Sequence, residues 1–337
     1  TIDQSVCPKG SFESLSPEDI ISIVRNAGIV GLGGAGFPTH VKISSGLGKV
    51  DTLIINCAEC EPYITSNYRA MIETPEEIIG GIRILMKAFG LSSAVIGIES
   101  NKLDAIPSLE KALPSGGGGI KIKTLKTKYP QGGEKQLIYS LTKREVPPGG
   151  LPAAVGCAVF NPDTCAAIYQ AVTTGMPLVS RVVTVSGSAI ANPKNLRCPV
   201  GTMVSDLVTA CGGFKEEPYK IIAGGPMMGS ALQGVDLPII KSSNSILSFC
   251  GNEDTSVAEP QCIRCGRCVS VCPMNLMPIY IRMYYEKERY DELEKLNVSD
   301  CIECGSCAYV CPGRLFLTQT CRVAKARLAE YKKKGAN

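Results

Sequence analysis

"GIVGLGGAGFPTHVK" (Gly28–Lys42) contains Gly31-x-Gly33-x-x-Gly36, a letter-for-letter match to the dinucleotide fingerprint G-x-G-x-x-G. A true dinucleotide turn needs a strand before the first glycine and a helix opening at the second. Here a helical pattern precedes the loop. Ser16 is placed to cap, Pro17 suits the first helical position, and Glu18 and Asp19 suit the positive helix end. Ile20, Ile23, Val24 and Ala27 follow at helical spacing, which leaves only Ile29-Val30 for a strand. Pro38 removes an amide where the Rossmann helix would bond, and no acid stands at a clean ribose position. The match is formal, and a Rossmann domain is rejected. The physical content survives. Gly31, Gly33, Gly34 and Gly36 let the backbone approach a flat or anionic ligand with amides exposed, and Lys42 is available for a phosphate. A structural turn explains one or two such glycines but poorly explains four beside Lys42. His40, the only histidine, reads as a loop residue rather than a catalytic one.

Downstream of the loop the pattern alternates. Strands are expected at 51–57, 94–99, 120–126 and 156–160, and helices at 75–89, 103–113, 134–144 and 164–172. Such alternation predicts a mostly parallel sheet covered on both faces. From about residue 178 the texture becomes that of a small α+β module: a β-rich hairpin candidate, a short helix at "GTMVSDLVTACGG" (201–213), and a strand with a tight turn at "YKIIAGGPMMG" (219–229). Residues 250–260 read as a linker.

Composition bounds the class. The chain has 337 residues, 45% hydrophobic and 20% charged, an ordinary globular balance with room for two or three domains. A net charge of +4 and the absence of Trp give nucleic acid no footing. No apolar run is long enough to span a bilayer. The start at Thr1 without Met reads as a fragment or processed start. Seventeen cysteines in a chain with no signal peptide read as metal rather than as disulfides.

Eight of them form two identical runs. Cys262-x2-Cys265-x2-Cys268-x3-Cys272-Pro273 is repeated as Cys301-x2-Cys304-x2-Cys307-x3-Cys311-Pro312. This is the two-cluster ferredoxin spacing, in which the fourth cysteine of each run ligates the other cluster. Cys262, Cys265, Cys268 and Cys311 are therefore expected on one [4Fe–4S] cluster, and Cys272, Cys301, Cys304 and Cys307 on the other. Zinc would need two pairs per site, usually with a longer gap. The 28 residues between the runs look helical, so a helical variant of the two-cluster ferredoxin is expected. Of the other cysteines, Cys57-x2-Cys60 is a possible redox pair, with Cys60 at the ligand site, but buried or loop thiols are the default.

On these residues the chain resembles a known family. "GLGGAGFPT-x-x-K" is similar to the flavin loop of the complex I flavoprotein subunit and, more closely, of RnfC, a component of the Rnf ferredoxin:NAD+ oxidoreductase complex. "IINCAECEPY" (54–63), "KYPQGGEKQLI" (128–138), "EVPPGGLPAAVG" (145–156), "AGGPMMG" (223–229) and both cysteine runs agree in order. The resemblance covers essentially the whole chain. It implies a complex I flavoprotein-like α/β flavin/NADH domain with a mostly parallel sheet, a small SLBB-like β-grasp module and a helical two-cluster ferredoxin domain. Expected boundaries are 1–177, 178–248 and 249–321, then a basic tail at 322–337. The family's further N-terminal domain is absent, in keeping with the fragment reading.

The resemblance also implies the cofactors FMN and NAD(H) beside the two [4Fe–4S] clusters. The loop glycines and Lys42 would hold FMN. Asn56 and Glu59 would hydrogen-bond the flavin or its ribityl chain, and Asn161 and Thr164 would make a later phosphate and ribityl contact. Phe37, Glu61, Glu134 and Lys135 are candidates for the nicotinamide nucleotide. Ala58 and Gly133 depart from the complex I pattern, each standing where that family has an acid. No side-chain acid, base or nucleophile is expected in the main step, since the cofactors carry the chemistry. The implied role is the NADH-side module of a membrane complex coupled to Na+ or H+ movement, with other Rnf subunits as partners. The implied location is peripheral, at the cytoplasmic face of the membrane. Two alternatives stay open: a soluble reductase serving cobalamin or proline reduction, and an electron-wiring subunit with no flavin of its own. The basic tail (Arg322, Lys325, Arg327, Lys332, Lys333, Lys334) reads as a solvated helix end, with anionic lipid or partner subunits as the alternative.

Overall fold

A reciprocal capping box opens the first helix. Ser16 Oγ accepts from the Asp19 amide at 3.1 Å, and the Asp19 carboxylate accepts from the Ser16 amide at 2.9 Å. In the computed structural model, which describes residues 6–8, 10–254, 257–258 and 260–335, α1 (Pro17–Asn26) leads into the glycine loop and α2 (Thr39–Gly46). Then follow β1 (Thr52–Cys57), α3 (Ser66–Glu73), α4 (Pro75–Phe89), β2 (Ala94–Glu99), α5 (Ile106–Ala112), β3 (Ile120–Leu125), α6 (Glu134–Thr142), β4 (Cys157–Phe160) and α7 (Pro162–Thr173). The chain divides into two compact units, Thr1–Gly251 and Asn252–Asn337.

The four strands form one sheet in the order β3-β2-β1-β4, every pairing parallel. β1 alternates sides. Leu53, Ile55 and Cys57 join the core that α1, α4 and α7 cover, whereas Ile54 packs with Leu137 and Ile138 of α6 on the opposite face. Burial on both faces is why β1 reads as a continuous apolar run. α4 lies unusually close to α7. A Cβ on Gly81 would fall 1.9 Å from the Cys165 carbonyl oxygen, and one on Gly80 would fall 2.2 Å from the Tyr169 ring. Only glycine permits that approach.

The second sheet builds the small module. β5 (Ser180–Ser186), β6 (Lys194–Pro199), β7 (Lys220–Ala223), β8 (Ser230–Leu232) and β9 (Ser245–Phe249) take the order β6-β5-β9-β7-β8, with α8 (Val204–Ala210) between β6 and β7. β9 is central, parallel to β5 and antiparallel to β7. It runs one residue past the module end expected at 248.

The second unit is an internal repeat. The left-handed residues Arg264 and Gly266 recur thirty-nine positions later as Glu303 and Gly305, and Asn275 recurs as Arg314. Each run enters a one-turn helix, α9 (Arg267–Ser270) or α12 (Ser306–Tyr309), and then a longer one, α10 (Pro278–Glu286) or α13 (Leu317–Gly335), with α11 (Tyr290–Lys295) between the halves. The division expected at 321/322 falls inside α13, so the tail is no separate segment. Cys321, Ala324 and Leu328 are buried against Leu276, Ile281 and Leu293 because they recur along one face of that helix. Its cations pair locally: Arg322 and Lys325 with Glu303, Arg327 with Glu330, and Lys332 with Glu294. The side chain of Lys334 lies outside the described residues.

Candidate functional site

In an open parallel sheet, ligands collect at the carboxyl ends of strands where the order reverses. That switch point lies between β1 and β4, and the glycine loop sits there. The loop is closed by a Val30–Pro38 bridge, by a Gly31 amide to Phe37 carbonyl bond of 2.7 Å, and by a Gly36 amide to Gly31 carbonyl bond of 3.2 Å. Gly34 and Gly36 have φ of +113° and +64°, accessible to glycine at little cost. Gly33, Gly34 and Ala35 are exposed, and among the described residues nothing accepts from their amides. Phe37 stands at the rim, half exposed.

The loop is anchored from beneath. The Leu32 amide donates to Thr164 Oγ1 at 3.0 Å. Arg181 of β5 donates from Nη2 to the Leu32 carbonyl at 3.2 Å, from Nη1 to Asp163 at 3.4 Å, and from Nε to the Ser243 carbonyl at 3.3 Å. Burial pushes the Asp163 carboxyl up and the Arg181 guanidinium down, and each group opposes the other's shift by charge. Lys241 adds a 2.7 Å bond to the Gly28 carbonyl. The small module is therefore the wall behind the loop.

The expected contact residues gather around this crevice, many already engaged by protein. Asn161 caps α7, accepting from the Asp163 amide and donating to Asn67, while Thr164 is buried beneath the loop. Lys42 donates to Glu134 Oε1 at 2.8 Å and to the Val159 carbonyl at 2.7 Å, joining one expected flavin residue to one expected nucleotide residue. Asn56 donates to the Gly132 carbonyl and accepts from the Ala58 amide. Glu59 accepts from the Asn67 and Tyr68 amides at the start of α3, with Lys102 at 3.7 Å, and burial pushes its carboxyl up to about 7. Gly133 caps α6, and Lys135 donates to the Pro147 carbonyl. Glu61 accepts from the Met227 and Met228 amides at 3.1 and 2.9 Å. This makes Glu61 a clamp onto "AGGPMMG". A Cβ on Gly225 would fall 2.1 Å from Glu61 Oε2, so any larger residue there would displace the clamp.

Cys57 and Cys60 are both free thiols. Burial holds Cys57 far above the ordinary thiol range and raises Cys60 to about 11, the reverse of what a redox pair needs. Sequence reasoning missed Lys102, Arg181, Lys241 and Cys321. A usable signal existed for Arg181, a charged residue in the buried phase of β5 with Val183 and Val185.

In the second unit a cavity is lined by Cys272, Cys301, Cys304 and Cys307, the set expected from the spacing. In the other set Cys268 and Cys311 are buried together, with Cys262 and Cys265 exposed. Among the described residues no three such side chains converge as they would on a single ion. Four thiols lining one cavity are the donor set that a cubane takes.

Comparison with known proteins agrees with this division. Family models match for the Nuo51 FMN-binding domain over residues 24–170, the SLBB domain over 182–231 and the 4Fe-4S dicluster domain over 261–314. The C subunit of the proton-translocating ferredoxin:NAD(+) oxidoreductase complex of Clostridium ljungdahlii is 48% identical over 292 residues, covering 86% of this chain and 64% of that protein. The C subunit of the Na(+)-translocating complex of Acetobacterium woodii is 44% identical over 337 residues, covering 99% and 76%. The C subunit of the ion-translocating oxidoreductase complex of Vibrio cholerae is 44% identical over 295 residues, covering 87% and 38%. The chain thus spans only part of each relative. Among solved structures, an air-oxidized NAD+-reducing [NiFe]-hydrogenase chain matches with TM-score 0.64 at 20% identity, covering 97% of this chain and 55% of that one. This likeness shows the fold. The three-part architecture expected from sequence is borne out.

Proposed function

Because the chain belongs to the RnfC family, the C subunits of the ion-translocating ferredoxin:NAD(+) oxidoreductase complexes, we propose that it exchanges electrons between NAD(H), FMN and two [4Fe–4S] clusters as the NADH-side module of such a complex. One observation carries the reading. A single chain holds both a glycine loop with unpaired amides at the sheet's switch point and eight cysteines in a dicluster repeat.

The residues present fit both groups. For FMN, the free amides of Gly33, Gly34 and Ala35 form a cradle for an anion, and Lys42 brings a cation to its edge. The buried Gln131 Oε1, which has no partner among the described residues, is an acceptor within "KYPQGGEKQLI". Phe37 offers an exposed ring for stacking. Thr164, Asn161 and Arg181 hold the loop in shape from behind. The cysteine-lined cavity supplies four soft donors. When bound, a flavin exchanges electron pairs with a nicotinamide and single electrons with iron–sulfur clusters. The protein's part is to place and shield these groups, so no side chain is assigned a proton-transfer role.

Membrane association follows through partner subunits. Among the described residues no helix is long and apolar enough to cross a bilayer. The proposed location is peripheral, on the cytoplasmic face.

Adding NADH to anaerobically purified protein tests the reading. Bleaching of the flavin absorbance followed by cluster reduction is expected. Clusters that dithionite reduces, in a flavin-containing protein that NADH leaves oxidised, would contradict the entry-site role.

A further inference from the structure

The two cysteine sets differ in their surroundings. Cys262 and Cys265 are exposed, whereas Cys304 and Cys307 are buried and Cys272 and Cys301 half-buried. Three exposed arginines accompany the open set: Arg264, Arg267 and Arg314. Arg264 and Arg267 lie within the first run, and Arg314 follows Cys311, the fourth ligand expected for the same cluster, by three residues. The Arg314 loop is packed on the start of that run, since a Cβ on Gly313 would fall 1.9 Å from the Gln261 carbonyl oxygen. None of the three guanidiniums has a hydrogen-bond or ion-pair partner among the described residues. No Asp or Glu occurs from 261 to 285 or from 304 to 329. Ile263, between the exposed cysteines, and Phe316, two residues after Arg314, are 65% and 66% exposed.

The internal repeat supplies a control within the molecule. Thirty-nine positions away, Arg264, Arg267 and Arg314 correspond to Glu303, Ser306 and Asn275. Glu303 is held by Arg322 and Lys325, and Ser306 is buried. The fold of the repeat therefore does not require arginine at these positions. Positive charge without a counter-charge belongs to the open set alone.

We propose that this face is the docking surface for an acidic iron–sulfur protein that exchanges single electrons with the cluster held by Cys262, Cys265, Cys268 and Cys311. The proposal rests on the function proposed above and on reading that set as a [4Fe–4S] site; it adds the surface and the charge of the partner. Chemistry selects the occupant. An iron–sulfur cluster passes one electron at a time, so the partner is a one-electron carrier. One electron leaves one cluster and enters the other, and no bond forms or breaks. A positive rim attracts a negative partner and speeds the encounter. Ile263 and Phe316 supply apolar contact that excludes water. An anionic lipid surface would meet the same charges but would offer the cluster no acceptor. Redox encounters of this kind bury little area, so charge is the property to test.

The test is binding of a plant-type [2Fe–2S] ferredoxin, an acidic one-electron carrier, to the anaerobically purified chain at low ionic strength, with iron counted in each sample. Saturable binding that weakens as salt rises is expected. Reversing the three charges together (Arg264→Glu, Arg267→Glu and Arg314→Glu) is expected to weaken it about tenfold or more, mainly through slower association, with about eight irons retained. The neutral set, each arginine to Gln, is expected to fall between and keeps the test decisive if charge reversal disturbs cluster assembly. Lys111→Glu, Lys121→Glu and Lys126→Glu, at exposed positions of the first unit, make the same change in net charge and are expected to leave binding near the parent value. No saturable binding to the parent, unchanged affinity in the arginine sets, or an equal loss in the lysine set would overturn the proposal. Phosphatidylglycerol vesicles that bind the parent, release the arginine variants and exclude ferredoxin would overturn it in favour of a lipid surface. A parent without iron would overturn the cluster reading itself. Charge-dependent ferredoxin binding by a protein that NADH leaves oxidised would contradict the NADH-side role and leave the docking surface standing.

Discussion

Arg181 of the β-grasp module donates from Nη2 to the carbonyl oxygen of Leu32 in the glycine loop, at 3.2 Å. The same guanidinium meets the buried Asp163 and the Ser243 carbonyl. One side chain thus ties the module that follows the flavin domain to the loop proposed to hold the cofactor. Its charge is met by the Asp163 carboxylate at 3.4 Å.

Arg181→Ala should therefore do more than remove a contact. It leaves the Asp163 carboxylate buried without its cation, a change worth about 3–5 kcal/mol in stability. Pairing it with Asp163→Asn should recover much of that loss, because no charge is left stranded. Urea unfolding of the single and double variants checks this. If the double variant is as unstable as Arg181→Ala, the buried pair is not the reason.

The contact of α4 with α7 depends on Gly81. Gly81→Ala would place a methyl 1.9 Å from the Cys165 carbonyl oxygen. Backbone has to move, and a cost of about 3 kcal/mol is expected, at the upper end for overpacking. A urea midpoint equal to that of the parent would show that the helices part more freely than their packing indicates.

Glu59 should give the flavin unit a pH dependence. Burial raises its carboxyl to about 7, above the value it has in the unfolded chain. The folded state then binds the proton more tightly. Stability is fullest below about pH 4.5, falls as pH rises towards 7 and levels off beyond, by an amount of order 3 kcal/mol. Urea midpoints collected from pH 5 to 8 should show this fall, and Glu59→Gln should flatten it. An unchanged slope in Glu59→Gln would assign the effect to another group.

Cys57 and Cys60 should be inert in the native protein. Iodoacetamide at pH 8 is expected to leave both unmodified and to label both in urea, as mass spectrometry of peptides would read. Alkylation of native Cys60 at the rate of a free thiol would contradict the burial argument.

Much of this was legible in the sequence, for reasons that particular elements make plain. β1 and β2 announce themselves because both of their faces are buried, and α4 because Pro75, two early glutamates and Gly90 mark its ends. The cluster cysteines are legible because three ligands of each cubane are expected from one C-x2-C-x2-C run, and the run itself repeats. β9 was not, since five residues after a long irregular stretch carry little periodicity, and its central place depends on pairing with β5 and β7. The roles of Glu61 and Arg181 were hidden for the same reason: their partners, Met227 and Leu32, lie 166 and 149 residues away. Cys321 falls outside the spacing rule, and only the fold of α13 brings it into the cavity wall.

The cofactor content of anaerobically purified protein tests the central claim most directly. The account predicts one FMN and about eight irons per chain, as two cubanes require. Eight irons without flavin would make the chain a wire and contradict the assignment of the Gly31–Gly36 loop. Two zinc ions in place of iron would contradict the cluster assignment.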